Sequence, residues 1–301
     1  MQIELQLGGQ VIHLREPHDY PCLAWPIQPF DTFLAQPGTR PDFEIDVEVC
    51  STIPELKRGP LRFDAAHGCW TVYESDSGLV IESLNPQLLQ PRARALMSAD
   101  YRTVRAWILP EFHLGQVGWS PMHLFNPIVE VCLLSRLALE GGLLLHAAGL
   151  SIHDQGYVFT GASGAGKSTI AQLFADQGAL IFSDERVILR QQTAGVTVYG
   201  TPWVGSGQYA AQVSRTMTGL YAISHGQHRH RVEPLSPTKT MSLLLQQAFL
   251  PHWDRAAMEA TLDFLASLTA HTPCFSLAFL KQADVVELLQ TRSASVEEAV
   301  S

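Results

Sequence analysis

Residues 156–185, GYVFTGASGAGKSTIAQLFADQGALIFSDE, decide the fold. An apolar run leads into a glycine-rich loop, a helical pattern follows, and a second apolar run ends on two adjacent carboxylates, Asp184 and Glu185. A strand, an anion-binding loop, a helix and a second strand in this order are typical of α/β nucleotide-binding folds. The stretch therefore predicts an α/β domain that holds a phosphate group.

The glycine loop, defined here as residues 161–168, matches G-x-x-x-x-G-K-[ST] without a gap. Glycines let backbone N–H groups turn toward an anion, and the helix that begins near Lys167 adds the positive end of its dipole. In such loops the lysine contacts the β- and γ-phosphates, and the next hydroxyl, here Ser168, coordinates Mg²⁺. A plain glycine-rich turn would not explain why Lys and Ser follow the last glycine. ATP and Mg²⁺ are therefore the expected cofactors, and the residues expected to bind the nucleotide are Gly161, Ala162, Ser163, Gly164, Ala165, Gly166, Lys167, Ser168 and Thr169.

The acidic pair follows the apolar run 179–183. We expect this run to form a strand parallel to, and beside, the strand that precedes the glycine loop, which would bring both acids to the same edge of the sheet. A carboxylate there can join Ser168 in holding Mg²⁺, and a carboxylate can accept a proton. Ser168 and Asp184 are the predicted metal ligands, whereas the base is left open between Asp184 and Glu185. A solvated turn is the alternative interpretation of the pair.

The run LLLHAAGLSIHDQGYVFTGASGAGKSTIAQLFADQGALIFSDERVIL (143–189) resembles the catalytic domain of HPr kinase/phosphorylase. That family shows a histidine, a short strand pair, a P-loop, a helix ending in glycine, and a strand ending in two acids. The family's site residues fall here on His146, Lys167, Ser168, Asp184 and Glu185. The resemblance implies a P-loop kinase fold and a catalytic role for His146, Lys167 and the two acids. Without it, a histidine in an apolar run would be read as a packed core residue.

The chain departs from that family in three places. Glu185 stands where the family has a second aspartate, and neither the IEIRGLG segment nor the later arginine-bearing loop has a counterpart. The chain offers VYGTPWVGSG (198–207) instead, which could cover the phosphates or the acceptor, or form a turn around a packed tryptophan. This pattern looks like divergent HPr-kinase-related proteins found beside bacterial peptide-modification genes, some of which phosphorylate a serine of a ribosomally made peptide.

Two domains are expected. Residues 1–125 contain short alternating runs between Pro, Gly and Asp, which predict a smaller, mainly-β recognition domain with one helix near 87–97. Residues 126–301 are expected to form the α/β, HPr-kinase-like P-loop catalytic domain, with a hairpin at 186–200, a helix over 251–271 and a strand over 275–280.

Bulk composition excludes several classes of protein. The formal net charge of -9 argues against general binding to nucleic acid or to anionic membranes. The five cysteines include no CxxC pair, which is typical of reduced thiols. Neither a signal peptide nor an apolar run of about 18 residues is apparent, so the sequence predicts a cytoplasmic protein without a membrane partner.

The segment SHGQHRHRVEP (224–234) has the residue types of a metal site. The spacing of His225, His228 and His230 suits no standard closed zinc site, so a basic hairpin loop is the prediction. Such a loop could steer an acidic peptide or a phosphate.

These features together predict an ATP- and Mg²⁺-dependent kinase whose acceptor is a hydroxyl, such as a serine of a peptide or protein. A kinase for small-molecule hydroxyls and a switch or scaffold that binds ATP without transferring phosphate are the alternatives. A guanine-specific GTPase is disfavoured because no N-K-x-D stretch follows the glycine loop. Whether identical copies of the chain associate is left open.

Overall fold

The computed structural model shows a mixed α/β protein with several sheets and few helices. It describes residues 2–17, 19–23, 25–65, 69–85, 90–113 and 115–291. The chain divides into two compact units, unit 1 (Met1–Leu139 with Pro251–Glu259) and unit 2 (Glu140–Leu250 with Ala260–Ser301). The units divide after Leu139, whereas the sequence predicts a domain boundary after residue 125, so the residues between belong to unit 1.

Unit 1 is built on an eight-stranded sheet. Its strands are β1 (Gln2–Leu7), β2 (Gln10–Arg15), β3 (Phe43–Val49), β4 (Leu61–Asp64), β5 (Trp70–Ser75), β6 (Gly78–Leu84), β7 (Pro91–Ser98) and β8 (Thr103–Ile108). Their spatial order is β1-β2-β3-β8-β7-β6-β5-β4. Burial alternates along β3, where Phe43, Ile45 and Val47 point into the core, because successive side chains of a strand face opposite sides. The mainly-β character expected from the alternating runs is therefore present.

The helix expected near 87–97 is wrong where the structure describes it. Residues 91–97 lie in β7, which pairs with both β6 and β8, and this pairing overrides the local helical pattern. Residues 87–89 of the expected helix lie outside the described residues.

The helical part of unit 1 follows a short hairpin. Its elements are β9 (Glu111–His113), β10 (Gln116–Gly118), α1 (Met122–Leu124), a π-helical turn (Phe125–Val129) and α2 (Glu130–Leu139); a single 3₁₀ turn (Phe30–Thr32) lies earlier in the chain. The α2 side chain Cys132 contacts Met97 of β7, so this helix packs against the sheet. Of the described residues, the stretch Met122–Leu139 has the length and composition to cross a membrane, and 72% of it is buried inside the structure.

Unit 2 contains nine strands and the helices that cover them. The strands are β11 (Gly142–Ile152), β12 (Gln155–Thr160), β13 (Leu180–Ser183), β14 (Arg186–Gln192), β15 (Gly195–Tyr199), β16 (Ser214–His225), β17 (Arg231–Pro234), β18 (Ala248–Phe249) and β19 (Cys274–Phe279). The helices are α3 (Lys167–Ala175), α4 (Pro237–Gln247), α5 (Arg255–His271), whose first turn counts with unit 1, and residues 284–291. The hairpin expected at 186–200 is confirmed as β14 and β15, and the helix expected over 251–271 begins at Arg255.

Two long strands organise the sheet of unit 2. The first half of β11 pairs with β14 and its second half with β12, while the first half of β16 pairs with β15 and its second half with β12. The strands β12, β16 and β19 run parallel, so their carboxyl ends meet at one edge. One face of the sheet packs against α3, through Ile170 and Phe174, and the other packs against α4 and α5.

The strand that ends on the acidic pair is not where the sequence predicts it. Strand β13 pairs with β11 in antiparallel fashion, so β11 lies between β13 and the strand β12 that precedes the glycine loop. Because β12 and β13 are both antiparallel to β11, they still run in the same direction. Asp184 therefore emerges at the same edge as the glycine loop, one strand further away than expected.

Candidate functional site

The glycine loop connects the end of β12 to the first residue of α3. Gly164 and Gly166 have φ angles of +80° and +103°, the left-handed region that favours glycine. A Cβ on Gly166 would lie 2.9 Å from the Phe279 ring, so this position also has no space for a side chain. A Cβ on Gly164 would meet nothing within 4 Å, which shows that this part of the loop faces open space.

Lys167 lies at the start of α3 and is 7% exposed. Its Nζ donates to the carbonyl of Gly161 at 2.9 Å and to that of Ala162 at 3.4 Å. Burial lowers the pKa of the Lys167 ammonium, and the Glu185 carboxylate partly offsets this effect. The glycine loop thus holds the Lys167 ammonium against its own backbone, where the Glu185 carboxylate attracts it.

His146 occupies the one half-buried position of β11, whose other residues are all buried. Pairing of β11 with β14 sets His146 opposite Arg186 and brings its Nδ1 to 3.3 Å from Oε1 of Glu185. Burial lowers the pKa of His146, repulsion by Lys167 and Arg186 adds to the shift, and the nearby Glu185 acts in the opposite direction. The imidazole is therefore neutral at neutral pH, and it can orient the carboxylate or exchange a proton with it.

Asp184 has different surroundings, although it precedes Glu185 directly. It is 1% exposed, and its two carboxylate oxygens accept hydrogen bonds from the backbone N–H groups of Gly205 (2.9 Å) and Gly207 (2.6 Å). A Cβ on either glycine would lie 2.8 Å from Oδ2 of Asp184. The 201–207 loop therefore needs glycine at both positions to approach this carboxylate.

Ser206 lies between those two glycines and is exposed. Its Oγ donates a hydrogen bond of 3.0 Å to the Oγ of Ser168 on α3. A cavity of about 420 Å³ is lined by His146, Ser163, Gly164, Gly166, Lys167, Ser168, Thr169, Asp184, Glu185 and Ser206. Ser206 is the residue of this set that the sequence does not single out, although the sequence indicates the segment 198–207 as a candidate cover for the phosphates or the acceptor.

Three of the residues expected to bind nucleotide lie away from the cavity wall. Gly161 and Ala162 accept the hydrogen bonds from Lys167 described above, and Ala165 packs against the core next to α3. These three residues stabilise the glycine loop through hydrogen bonds and core packing. The remaining predicted residues form the wall of the cavity.

The histidines of the segment 224–234 make contacts in different places. His225 ends β16, and its Nε2 lies 2.8 Å from the carbonyl oxygen of Gly164 in the glycine loop. His230 accepts from the N–H of Leu280, and its Nε2 bonds to Asp284 at 2.9 Å. Within the described ranges, no group of three or more His, Cys, Asp or Glu residues could hold a metal ion. The parallel pairing of β16 with β12 is the signal that would have placed His225 beside the loop, but strand pairing is not visible in the local sequence.

Arg186 directly follows the acidic pair and packs on two aromatic rings. Its guanidinium lies over the rings of Trp203 (5.5 Å) and Phe249 (4.6 Å). Trp203 of the 201–207 loop is thus a packed residue, and its contact with the Arg186 guanidinium stabilises the position of this loop.

The donor set fits a nucleotide with Mg²⁺. Open backbone at Gly164, the positive end of α3 and the Lys167 ammonium are the groups that bind phosphate in proteins. The Ser168 hydroxyl and the carboxylates of Asp184 and Glu185 are oxygen ligands, which a hard cation such as Mg²⁺ prefers.

No protein-family model matches the chain, and no curated protein matches it. The solved structures that match include the Hpr(Ser) kinase/phosphatase from Coxiella burnetii. It is 13% identical, the match covers 52% of this chain and 92% of that one, and the TM-score is 0.30.

Proposed function

We propose that the protein is an ATP- and Mg²⁺-dependent kinase that transfers the γ-phosphate to a hydroxyl, and that its acceptor is a serine of a peptide or protein. One observation carries the proposal. Lys167 and Ser168 of the glycine loop line the same cavity as Glu185, whose carboxylate is 3.3 Å from His146. A phosphate-binding loop and a carboxylate that can accept the hydroxyl proton are two parts that phosphoryl transfer to a hydroxyl uses.

The groups of the cavity have distinct tasks in this proposal. The backbone of the glycine loop and Lys167 hold the phosphates of ATP, and Ser168 with Asp184 would hold Mg²⁺. When bound, Mg²⁺ neutralises negative charge on the β- and γ-phosphates. Preorganised positive charge at the transferring group stabilises the transition state without a reorganisation cost.

Glu185 is the proposed proton acceptor. Both oxygens of Asp184 already accept backbone hydrogen bonds from the 201–207 loop, which suits an anchoring carboxylate more than a base. Glu185 is half-buried, faces the cavity and is oriented by His146, so it can reach the proton of an acceptor hydroxyl.

The net negative charge of the chain bears on the charge of the acceptor peptide. With a formal net charge of -9, the protein favours a peptide that is neutral or basic outside its reacting serine. All five cysteines are free thiols, as is typical of proteins in a reducing compartment such as the cytoplasm.

The test uses the full chain with γ-labelled ATP, Mg²⁺ and a library of neutral and basic peptides that each contain one serine. The proposal expects labelled phosphoserine peptides and one ADP for each phosphate transferred. Label on free serine or a sugar, without labelled peptide, would instead favour a small-molecule kinase. Tight ATP binding with no ADP release above background would favour a nucleotide-dependent switch.

A further inference from the structure

We propose that Ser206 is a site of self-phosphorylation: the protein transfers the γ-phosphate of ATP to this serine of its own chain. The inference rests on the proposed kinase function and names one acceptor for it.

The backbone on both sides of Ser206 is fixed. Hydrogen bonds of 2.9 Å and 2.6 Å from the N–H groups of Gly205 and Gly207 tie the loop to the buried Asp184. The close approach excludes any side chain at these two glycines. Ser206 is therefore the one side chain that the segment 205–207 can present at this point.

The hydroxyl of Ser206 reaches the phosphate side of the cavity. Its Oγ lies 3.0 Å from the Oγ of Ser168, the proposed Mg²⁺ ligand next to Lys167. The same loop backbone is close to the proposed base, because a Cβ on Gly205 would lie 3.2 Å from Oε2 of Glu185. A hydroxyl, the proposed base and the phosphate-binding loop thus meet in one cavity without a second molecule.

Other hydroxyls line this cavity, but they belong to the phosphate-binding side. Ser163, Ser168 and Thr169 lie within or directly after the glycine loop. Ser206 comes from a separate segment, the 201–207 loop, so it is the hydroxyl of this cavity that the phosphate-binding loop does not itself supply.

The reaction balances with ATP as the other reactant. A bond forms between Oγ of Ser206 and the γ-phosphorus, and the bond from that phosphorus to the oxygen bridging it to the β-phosphate breaks. The hydroxyl proton goes to the Glu185 carboxylate. The products are ADP and a phosphoserine at position 206.

The experiment incubates the full chain with ATP and Mg²⁺, without peptide, and maps phosphate by mass spectrometry of proteolytic fragments. The wild type is expected to gain one phosphoryl group at position 206, at a first-order rate that does not change with protein concentration. Ser206→Ala should lose this phosphate completely, whereas Ser206→Thr, which keeps a hydroxyl, should retain it at the same position. Ser51→Ala removes an exposed serine of unit 1 and is expected to leave the modification unchanged.

The outcomes separate this inference from the proposed function. Phosphorylated library peptides together with an unmodified Ser206 would overturn the inference and leave the proposed function intact. A rate that rises in proportion to protein concentration would also overturn it, because the reaction would then occur between molecules. Absence of phosphate from both Ser206 and the peptides, with no ADP released, would contradict the proposed function itself.

Discussion

At the scale of single residues, the adjacent acids Asp184 and Glu185 differ in what they contact. Asp184 is buried and accepts two backbone hydrogen bonds from the 201–207 loop, whereas the Glu185 carboxylate contacts His146 at 3.3 Å. This difference argues for a division of labour between an anchoring, metal-binding carboxylate and a proton acceptor.

Replacing each acid by its amide tests this division. Glu185→Gln should lower kcat of phosphate transfer by about tenfold or more, while ATP affinity is retained, because only proton acceptance is lost. Asp184→Asn should lower the free energy of unfolding by about 1–3 kcal/mol, because a buried acceptor of two N–H groups is impaired. Steady-state kinetics, ATP calorimetry and urea unfolding of both variants give the comparison. Identical behaviour of the two variants would refute separate roles.

His146 provides a prediction about pH. Its pKa in the folded protein is lowered from the ordinary value of 6.5, so the folded state favours the neutral imidazole. The stability that this contributes is complete above pH 6.5 and is lost as the pH falls through the lowered pKa, because the unfolded chain then binds the proton more readily. His146→Gln should therefore lose less stability than the wild type as the pH is lowered below 6.5.

Urea unfolding over this pH range measures the effect. His113→Gln, which replaces an exposed histidine on β9, is the matched control and should follow the wild-type profile. The account of His146 would be wrong if the His146→Gln profile were parallel to that of the wild type.

At the scale of elements, the site depends on two loops that meet at one edge of the unit 2 sheet. The glycine loop follows β12, and the 201–207 loop follows β15 and reaches Asp184 at the end of β13. Ser183 fixes this arrangement, because its hydroxyl donates to the carbonyl of Trp203 at 3.1 Å.

Gly205→Ala tests the approach of the second loop. The added methyl would lie 2.8 Å from the Asp184 carboxylate, so the loop has to move away and its hydrogen bond to this residue weakens. We expect turnover to fall by about tenfold, which corresponds to about 1.4 kcal/mol, with nucleotide affinity little changed. Val204→Ala in the same loop keeps the glycine backbone and should stay within about twofold of wild-type turnover. Equal losses in the two variants would contradict the steric argument.

Local patterns predicted those parts of the site that neighbouring residues determine. The strand, glycine loop and helix from 156 to 175 follow from periodicity and glycine spacing, and they form as expected. The position of β13, one strand away from β12, depends on which strands pair, and pairing joins residues far apart in the sequence. His225 and Ser206 reach the glycine loop for the same reason, so no local pattern could assign them.

At the scale of the whole molecule, unit 1 has two sheet edges with different exposure. The edge at β1 is covered, because Gln6 donates to Phe33 and Ala35 donates to Glu4. In the part of the chain that the structure describes, β4 at the other edge pairs with β5 alone. An open edge strand can bind an extended peptide by adding it to the sheet, so β4 is where we expect unit 1 to capture the acceptor.

Leu61→Asp places a charge on β4, at a side chain that is 51% exposed. Phosphorylation of library peptides should fall by about tenfold, while ATP binding, which we assign to unit 2 in the proposed function, should stay unchanged. Leu34→Asp is the matched control, since Leu34 is 48% exposed and lies beside the covered edge. Unchanged peptide phosphorylation in Leu61→Asp would show that β4 does not bind the acceptor.

The central claim is that the cavity around the glycine loop transfers phosphate, and the rate of labelled phosphate transfer from ATP to a serine peptide by Lys167→Ala measures it most directly. Removing this charge should cost about 3 kcal/mol of transition-state stabilisation, a loss of more than about a hundredfold in kcat/KM, with the thermal unfolding midpoint little changed. Lys239→Ala removes an exposed lysine of α4 and should keep wild-type activity. A folded Lys167→Ala protein that retains more than about half of the wild-type rate would contradict the account.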